Sequence, residues 1–425
     1  MYDKEKAEAA GWLRLYNFGS DNFTTEDRAT SLGLPAAIAS EFARLTAAEA
    51  KFKILSDSGT GSERSALLDK EFSQFIARFK SVSELAFASG GIMLKPIPSI
   101  SGGIIIETFF PPDFEIIGTE GGVVTGAKFI SRCKRGTSWF IRRECHERTR
   151  GGYKITNRFY RAVSPFDEGR AITPSEAGAV ISEWNELSPE VNITGLNHPL
   201  FAYYRVGTRE HSPYGVSVYA RAAELMREAD AQFGRLLWEF EGGELAIDAS
   251  EDAFKLDRTG HPILPVGRER LFRPNKLDYT YGSVSDPLRT FSPALRDVSL
   301  INGLDHIIAR VEDTVGLARG TFSDPGQAAR TATEIKMMRQ RTYAAVCDLQ
   351  NAARDALEGL TRAMDALCTL YMLAPETDNS SDEIRLVCDF GDSVLTDSDS
   401  SRMVDRDDVA AGLMTREEYR AKWKI

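Results

Sequence analysis

Between residues 33 and 89 apolar positions recur at helical spacing. After Gly33-Leu34-Pro35 the run Ala36 to Ile54 is rich in Ala, Glu and Lys, and Pro35 suits a first helical turn, so the run predicts a helix. The loop Ser56 to Ser62, carrying Gly59 and Gly61, breaks it. Leu68, Phe72, Phe75, Phe79, Val82 and Leu85 then step by four, three, four, three and three, which predicts one helix with a single buried stripe ending at Gly90-Gly91.

From there to about Tyr160 the pattern turns to β. Ile92-Met93-Leu94, Gly103 to Ile106, Val123-Val124 and Ser138 to Arg143 are short, β-branched or aromatic, and separated by Gly, Pro and Asp. Gly151-Gly152 reads as a hairpin turn before Tyr153-Lys154-Ile155. The combination is an antiparallel sheet joined to helices, an α+β class.

Beyond Pro213 the grain is helical again. Val218, Ala222, Leu225, Ala229, Phe233, Leu236 and Phe240 predict one amphipathic helix over Gly215 to Glu241, ended by Gly242-Gly243. A β-like insert follows, with a basic group of Arg268, Arg270, Arg273 and Lys276. A second helix is expected from about Pro293 to Leu317, a loop over Ala318 to Gln327, and a third helix over about Ala328 to Met372. The third is long against a mean of about 11 to 12 residues. Such helices must bury their stripes, and neighbouring subunits offer the surface. Ile384 to Cys388 reads as a strand, and Ala410 to Tyr419 as a short amphipathic helix capped by Thr415.

Composition narrows the functions this pattern can serve. With 425 residues, two or three structural units are expected. The 52 Lys and Arg against 62 Asp and Glu leave a net charge of −10, which disfavours a tight nonspecific grip on DNA. Between Glu376 and Asp408 eleven acidic and three basic residues give −8, so the remainder of the chain is near balance. Cys133, Cys145, Cys347, Cys368 and Cys388 are scattered, odd in number and never spaced Cys-x-x-Cys, so neither a disulfide framework nor a zinc site is expected. The charged start Met1 to Lys6 lacks the apolar core of a secretory signal, and no run of about 18 apolar residues predicts a membrane span.

Catalytic signatures are missing. Gly59-Thr60-Gly61-Ser62 carries no P-loop lysine and reads as a linker. No Gly-x-Ser-x-Gly elbow and no His-Glu-x-x-His pair occurs; His146-Glu147 lies in a β segment with no second histidine at helical spacing. The other histidines are His198, His211, His261 and His306, the last read as a packed or interface residue. Asp397-Ser398-Asp399-Ser400-Ser401 begins like a calcium loop, but Arg402 stands where the turn needs glycine, so a solvated acidic loop is the reading. The cluster Arg330, Lys336, Arg339 and Arg341 can meet DNA, but a solvated face paired with Glu334 or with a neighbour's carboxylates is favoured. No cofactor and no metal are expected.

The order of segments resembles a family. Gly90 to Pro96 (GGIMLKP), Phe110 to Phe114 (FPPDF), Tyr153 to Tyr160 (YKITNRFY), Ser212 to Tyr219 (SPYGVSVY), Phe291 to Asp297 (FSPALRD), Gly320 to Ser323 (GTFS) and Arg330 to Ile335 (RTATEI) follow one another as in portal proteins of tailed double-stranded DNA bacteriophages, in the siphophage portal and minor capsid branch. The resemblance runs from about Leu34 to Trp423, and it implies a ring, usually of twelve subunits and sometimes thirteen in isolation, at one capsid vertex of the virion, assembled in the host cytoplasm. Double-stranded DNA would pass through its axis, weakly bound, during packaging and ejection.

The implied parts are an α+β wing over 1–212, a first stem helix over 213–241, a clip insert over 242–291 and a second stem helix over 292–317. A tunnel loop over 318–327, a long helix over 328–374 returning to the wing, and an acidic segment over 375–425 with a reduced or absent crown complete the chain. Thr321, Phe322, Ser323, Asp324, Pro325, Gly326 and Gln327 would face the bore, and Arg268, Arg270, Arg273 and Lys276 would dock the clip's partners. Those partners are the terminase large subunit and the connector or adaptor protein, with major capsid and scaffolding proteins around the ring and no membrane. An acidic surface repeated around the axis would repel phosphates within a Debye length of about 8 to 10 Å. Two other readings compete: a minor capsid or head-morphogenesis protein without a channel, and a metal-dependent nuclease, which the missing motifs disfavour.

Overall fold

The computed structural model describes residues 3–18, 30–56, 63–99, 102–250, 254–259, 261–264, 271–275, 288–324, 332–374, 384–391, 405–407, 409, 415 and 419–420, with the backbone alone for 332–339. The chain opens with helices α1 (Asp3–Phe18) and α2 (Leu34–Ala47). The helix expected to reach Ile54 stops at Ala47, and Lys51–Ser56 is strand β1. Phe52 and Ile54 alternate with Lys51, Lys53 and Leu55, a period of two that pairs far along the chain, where local helical propensity does not reach.

The stripe from Leu68 to Leu85 belongs to two helices, α3 (Glu63–Ile76) and α4 (Phe79–Ser89). No breaker residue separates them. Tertiary contacts make the turn: Arg78 Nη2 donates to the carbonyl of Ile106 at 2.9 Å, and Phe79 packs on Phe52 and stacks on Tyr204.

Strands β2 (Gly91–Pro98), β3 (Ile104–Phe109), β4 (Phe114–Glu120), β5 (Val123–Arg135), β6 (Ser138–Thr149), β7 (Gly152–Ala162) and β8 (Arg170–Ile172) follow, then the short helix α5 (Pro174–Gly178) and strands β9 (Glu190–Thr194) and β10 (Ala202–Arg205). They form two sheets. Three strands run in the order β10-β2-β3; the larger sheet runs β4-β5-β6-β7-β8 with β9 also on β7. Gly152, with φ 148°, closes the β6–β7 hairpin where the carbonyl of Ile193 leaves no room for a Cβ.

Side-chain alternation stacks the layers. Ile92 and Leu94 of β2, with Ala202 and Tyr204 of β10, enter the main core beneath the helices. Met93 of β2, with neighbouring Phe201 and Tyr203, points the other way onto Phe114, Ala127 and Phe129 of the larger sheet. The three-stranded sheet is therefore the middle layer, with helices on one side and the larger sheet on the other. The α+β class is what the structure shows.

The helical half consists of α6 (Ala223–Gly242), a small sheet of β11 (Ala246–Ser250), β12 (Phe272–Asn275) and β13 (Leu288–Phe291), then α7 (Asp297–Val315), α8 (Ala332–Leu370) and β14 (Ile384–Asp389). The start expected at Gly215 moves to a 3-10 turn at Ala220–Ala222 that runs into α6. Residues 215–218 bond elsewhere: Val216 N–H donates to the carbonyl of Val206 at 2.6 Å and Val218 N–H to that of Phe87 at 3.1 Å. Gly215 lies so close to the carbonyls of Gly90 and Val206 that no side chain fits there.

α6 and α7 pack side by side, burying Met226, Ala229 and Leu236 from one and Leu304 and Val311 from the other. α8 spans 39 residues and buries Val346, Leu349, Ala353, Leu357, Leu360, Met364 and Leu367. β14 pairs antiparallel with β1, so a C-terminal strand closes against an N-terminal one.

Candidate functional site

The loop after α7 is folded back onto its helix by carboxylates. Gly316, at φ 89°, ends α7, and the amides of Gly316 and Leu317 both donate to the Glu312 carbonyl. The Glu312 side chain is fully buried and gathers the loop: Oε1 accepts from the amides of Phe322 at 2.5 Å and Ser323 at 2.9 Å. Its Oε2 accepts from the Ser323 hydroxyl at 2.6 Å and the Gly320 amide at 3.1 Å. Asp305 Oδ1 accepts from the Asp324 amide at 2.6 Å.

Asp313 binds Arg319 at 2.5 Å, and this hydrogen bond, reinforced by the charges of Arg341 and Arg310, holds its carboxyl below the usual carboxylate range. Three acids of one helix thus fix the loop through the Arg319 guanidinium, the Ser323 hydroxyl and the amides of Gly320, Phe322, Ser323 and Asp324, leaving Thr321 and Asp324 exposed and Phe322 half-buried. Pro325, Gly326, Gln327 and Arg330 lie outside the described residues, as do the side chains of Lys336 and Arg339. Arg341 is exposed on α8, close enough to act on Asp313. Glu312 was hidden in the sequence, where its signal is an acid beside Val311 on the apolar face of a helix.

A second feature sits at the far end of the α6–α7 pair. Glu239 accepts from the Arg296 backbone amide and from both Nε and Nη2 of its guanidinium, joining the end of α6 to the start of α7. Around that joint Trp238, Phe240, Leu245, Phe291, Leu295, Val298 and Ile301 are all exposed. Scattered exposed apolar residues are ordinary, whereas seven at one end mark an interaction surface. Arg273, from the basic group read in the sequence, lies on β12 with its guanidinium 5.6 Å from the Phe291 ring. Arg268, Arg270 and Lys276 lie outside the described residues.

The buried titratable groups form a structural joint between the sheets. Lys95 of β2 reaches across to Glu144 of β6 at 2.6 Å and to Glu107 at 3.4 Å, with its Nζ 5.1 Å from the Phe109 ring and 5.2 Å from Phe129. Glu144 also meets Arg142 at 3.0 Å and His146 Nε2 at 2.9 Å. Burial would raise the Glu144 carboxyl, but Lys95, His146 and Arg142 outweigh it and hold it well below the usual range. Burial pushes His146 down despite Glu144. The neutral ring donates Nε2–H to Glu144 and accepts at Nδ1 from the Tyr153 hydroxyl at 3.1 Å, while the Leu200 amide occupies the Tyr153 oxygen. Lys95, Glu144 and His146 are all buried.

His306, read as packed or at an interface, is exposed on α7. The segment Asp397 to Ser401 and most of Ala410 to Tyr419 lie outside the described residues. Among the described residues no group of three or more His, Cys, Asp and Glu is placed to hold a metal ion, and no helix is long and apolar enough to cross a membrane.

The sequence matches no known family and no curated protein. The fold does find counterparts among solved structures. A chain in the virion of a native gene transfer agent particle superposes with a TM-score of 0.50 at 11% identity, covering 98% of this chain and 93% of that one. A chain in the neck of an empty gene transfer agent particle, computed with C6 symmetry, does so with a TM-score of 0.50 at 12% identity and the same coverage. At this identity the likeness establishes a shared fold along almost the whole chain.

Proposed function

We propose that this chain is the portal-type subunit of a phage-like virion neck: a structural protein without a catalytic site or cofactor that assembles as a closed ring and lets double-stranded DNA pass along its axis. One observation carries the reading. A fold shared end to end with chains of gene transfer agent virion and neck particles combines a packed α6–α7 pair, a small-sheet insert between those helices and a clamped loop leading into a 39-residue α8.

The physical arrangement supports it. The α6–α7 pair leaves an apolar end uncovered, and head-to-tail contacts between unlike surfaces close into rings when the rotation permits. In this reading the loop from Thr321 to Gln327 borders the channel, and Glu312 holds its first part at Phe322 and Ser323. The insert between α6 and α7, with Arg273 and Phe291, takes the packaging motor and later the connector.

Native mass spectrometry and negative-stain imaging of the purified chain test this. The expected result is a ring with an open centre. A monomer at every salt and protein concentration overturns the reading, and a ring or sheet with no central opening transfers it to a shell-lining capsid protein.

A further inference from the structure

Among the described residues, the outer face of the larger sheet is rich in cations. Strand register puts Lys134 and Arg132 of β5, Trp139, Ile141 and Arg143 of β6, and Tyr160 and Arg158 of β7 on that face, opposite the side buried by Phe129 and Phe159. Arg143 and Arg158 stand directly across from each other in the ladder. Like charges so placed destabilise a sheet. Arg132, on the same face, is held below its usual range by burial and by the charge of Arg143, even though Asp113 pairs with it. Asp167 and Glu115, the latter paired with Lys6 and Lys128, also line this spot, and Arg143 donates to the Glu168 carbonyl at 3.3 Å.

Aromatic rings are interleaved with these cations. The Arg143 guanidinium lies 4.4 Å from the Tyr160 ring, Arg132 lies 5.6 Å from Phe166, and Lys134 lies 5.9 Å from Trp139. Phe166 and Val163, in the β7–β8 loop, are 77% and 86% exposed. Arginine, tryptophan and tyrosine with protruding apolar side chains are the composition of the energetic centre of a protein interface.

A second, unlike surface runs along α8. The exposed positions Asp348, Asn351, Asp355, Glu358 and Arg362 of α8 step by three, four, three and four, which places three carboxylates on one helix face. They form one wall of an open cleft of about 1040 Å³. Phe201, Ala202 and Ala352 supply apolar lining, and Glu120, Arg148 and Arg205 complete its charged rim. Val123, Val124 and Thr125 of the larger sheet also border the cleft, which is a different surface from the cationic outer face of that sheet.

We propose that the Phe166 loop and the Arg143–Arg158 face of one copy dock in the α8 cleft of the next copy, with Phe166 against the apolar lining and the arginines against Asp348, Asp355 and Glu358. The inference rests on the ring reading and names the surfaces by which copies join in the sheet-bearing part of the molecule. Two different surfaces are what a head-to-tail contact requires, and opposed charges fix its register.

A charge exchange tests it with the full-length protein. In R143E/R158E the concentration at half-assembly, read by native mass spectrometry and sedimentation, is expected to rise at least tenfold, and in D355R/E358R likewise. The four substitutions combined in one chain are expected to recover most of the loss, since every copy then presents both exchanged faces. F166A is expected to weaken assembly while leaving the circular dichroism melt of the monomer unchanged. Assembly of R143E/R158E equal to wild type, or a combined variant no better than either pair alone, overturns this interface while the ring stands. Binding of a DNA duplex that R143E/R158E abolishes without any change in assembly also overturns it, by assigning the face to phosphate. Failure of the wild-type chain to form a ring is a separate result that removes the underlying reading.

Discussion

The two functional groups of Ser323 converge on one buried side chain: its hydroxyl donates to Glu312 Oε2 at 2.6 Å and its amide to Oε1 at 2.9 Å. With Gly320 and Phe322 added, a single carboxylate satisfies four donors of a loop that has no regular partner of its own. Replacing one carboxylate oxygen by an amide NH2 in Glu312→Gln sets a donor against donors and is expected to cost about 1 to 3 kcal/mol. Hydrogen exchange checks this: protection of the Phe322 and Ser323 amides should fall while protection in the middle of α8 stays as in wild type. Unchanged exchange over 316–324 would show that the clamp does not hold the loop.

Why Glu312 escaped a sequence reading while α7 did not is a matter of range. The stripe of α7 repeats locally, as do the alternations of β5 to β7, so the helix and the sheet were legible from spacing alone. Glu312 is buried because residues 8 to 11 positions later turn back onto it, and no periodicity announces that. β1 failed for the same reason, since its pairing partner β14 begins more than three hundred residues later. The basic outer face of the sheet was hidden in another way. Arg143 and Arg158 become neighbours only through strand register. The candidate residues Thr321 to Asp324 were legible as a loop, but three of the four donors that Glu312 holds are backbone amides, which any sequence possesses.

Acid should weaken the joint between the sheets in two steps of the same sign. His146 is held neutral below its ordinary value, so the unfolded chain takes up a proton first as pH falls through about 6.5, and the fold loses stability from there down to the folded value. Glu144, held well below its ordinary range, adds a second loss once pH passes below about 4.5. Each contribution has a slope of at most about 1.4 kcal/mol per pH unit. Urea unfolding should show wild type less stable at about pH 5.5 than at 7.5, with a smaller difference in His146→Gln. An equal difference in both proteins would remove His146 from the effect.

Removing one partner of that joint should cost far more than removing a surface ion pair. Glu144→Ala leaves Lys95 buried between Phe109 and Phe129 with only the more exposed Glu107 at 3.4 Å. The expected loss is about 3 to 5 kcal/mol. Arg227→Ala, which breaks an exposed i,i+3 pair with Glu224, should cost under about 0.5 kcal/mol. Denaturant midpoints of the two variants measured side by side give the comparison, and similar losses would show that the buried cluster is not a coupled unit.

At the far end of the α6–α7 pair, stability and assembly should separate. Trp238, Val298 and Ile301 are 67%, 67% and 46% exposed, so little of their surface is withdrawn from water within one chain. Changing all three to serine is therefore expected to move the monomer's melting temperature by no more than about 2 to 4 °C, the shift that about 1 kcal/mol produces in a domain of roughly 150 to 250 residues and an upper bound for this longer chain. If copies meet here, the same substitutions remove the apolar area that stabilises the contact at about 25 cal/mol per Å² buried, and half-assembly should need at least tenfold more protein. Their effect should also persist at high salt, because apolar burial is not screened, whereas the losses from R143E/R158E should shrink as wild-type assembly itself weakens with added salt. Sedimentation velocity across a salt series distinguishes the two surfaces. Unaltered assembly in the serine variant, with an intact fold, would mean that this apolar end serves a partner other than a second copy.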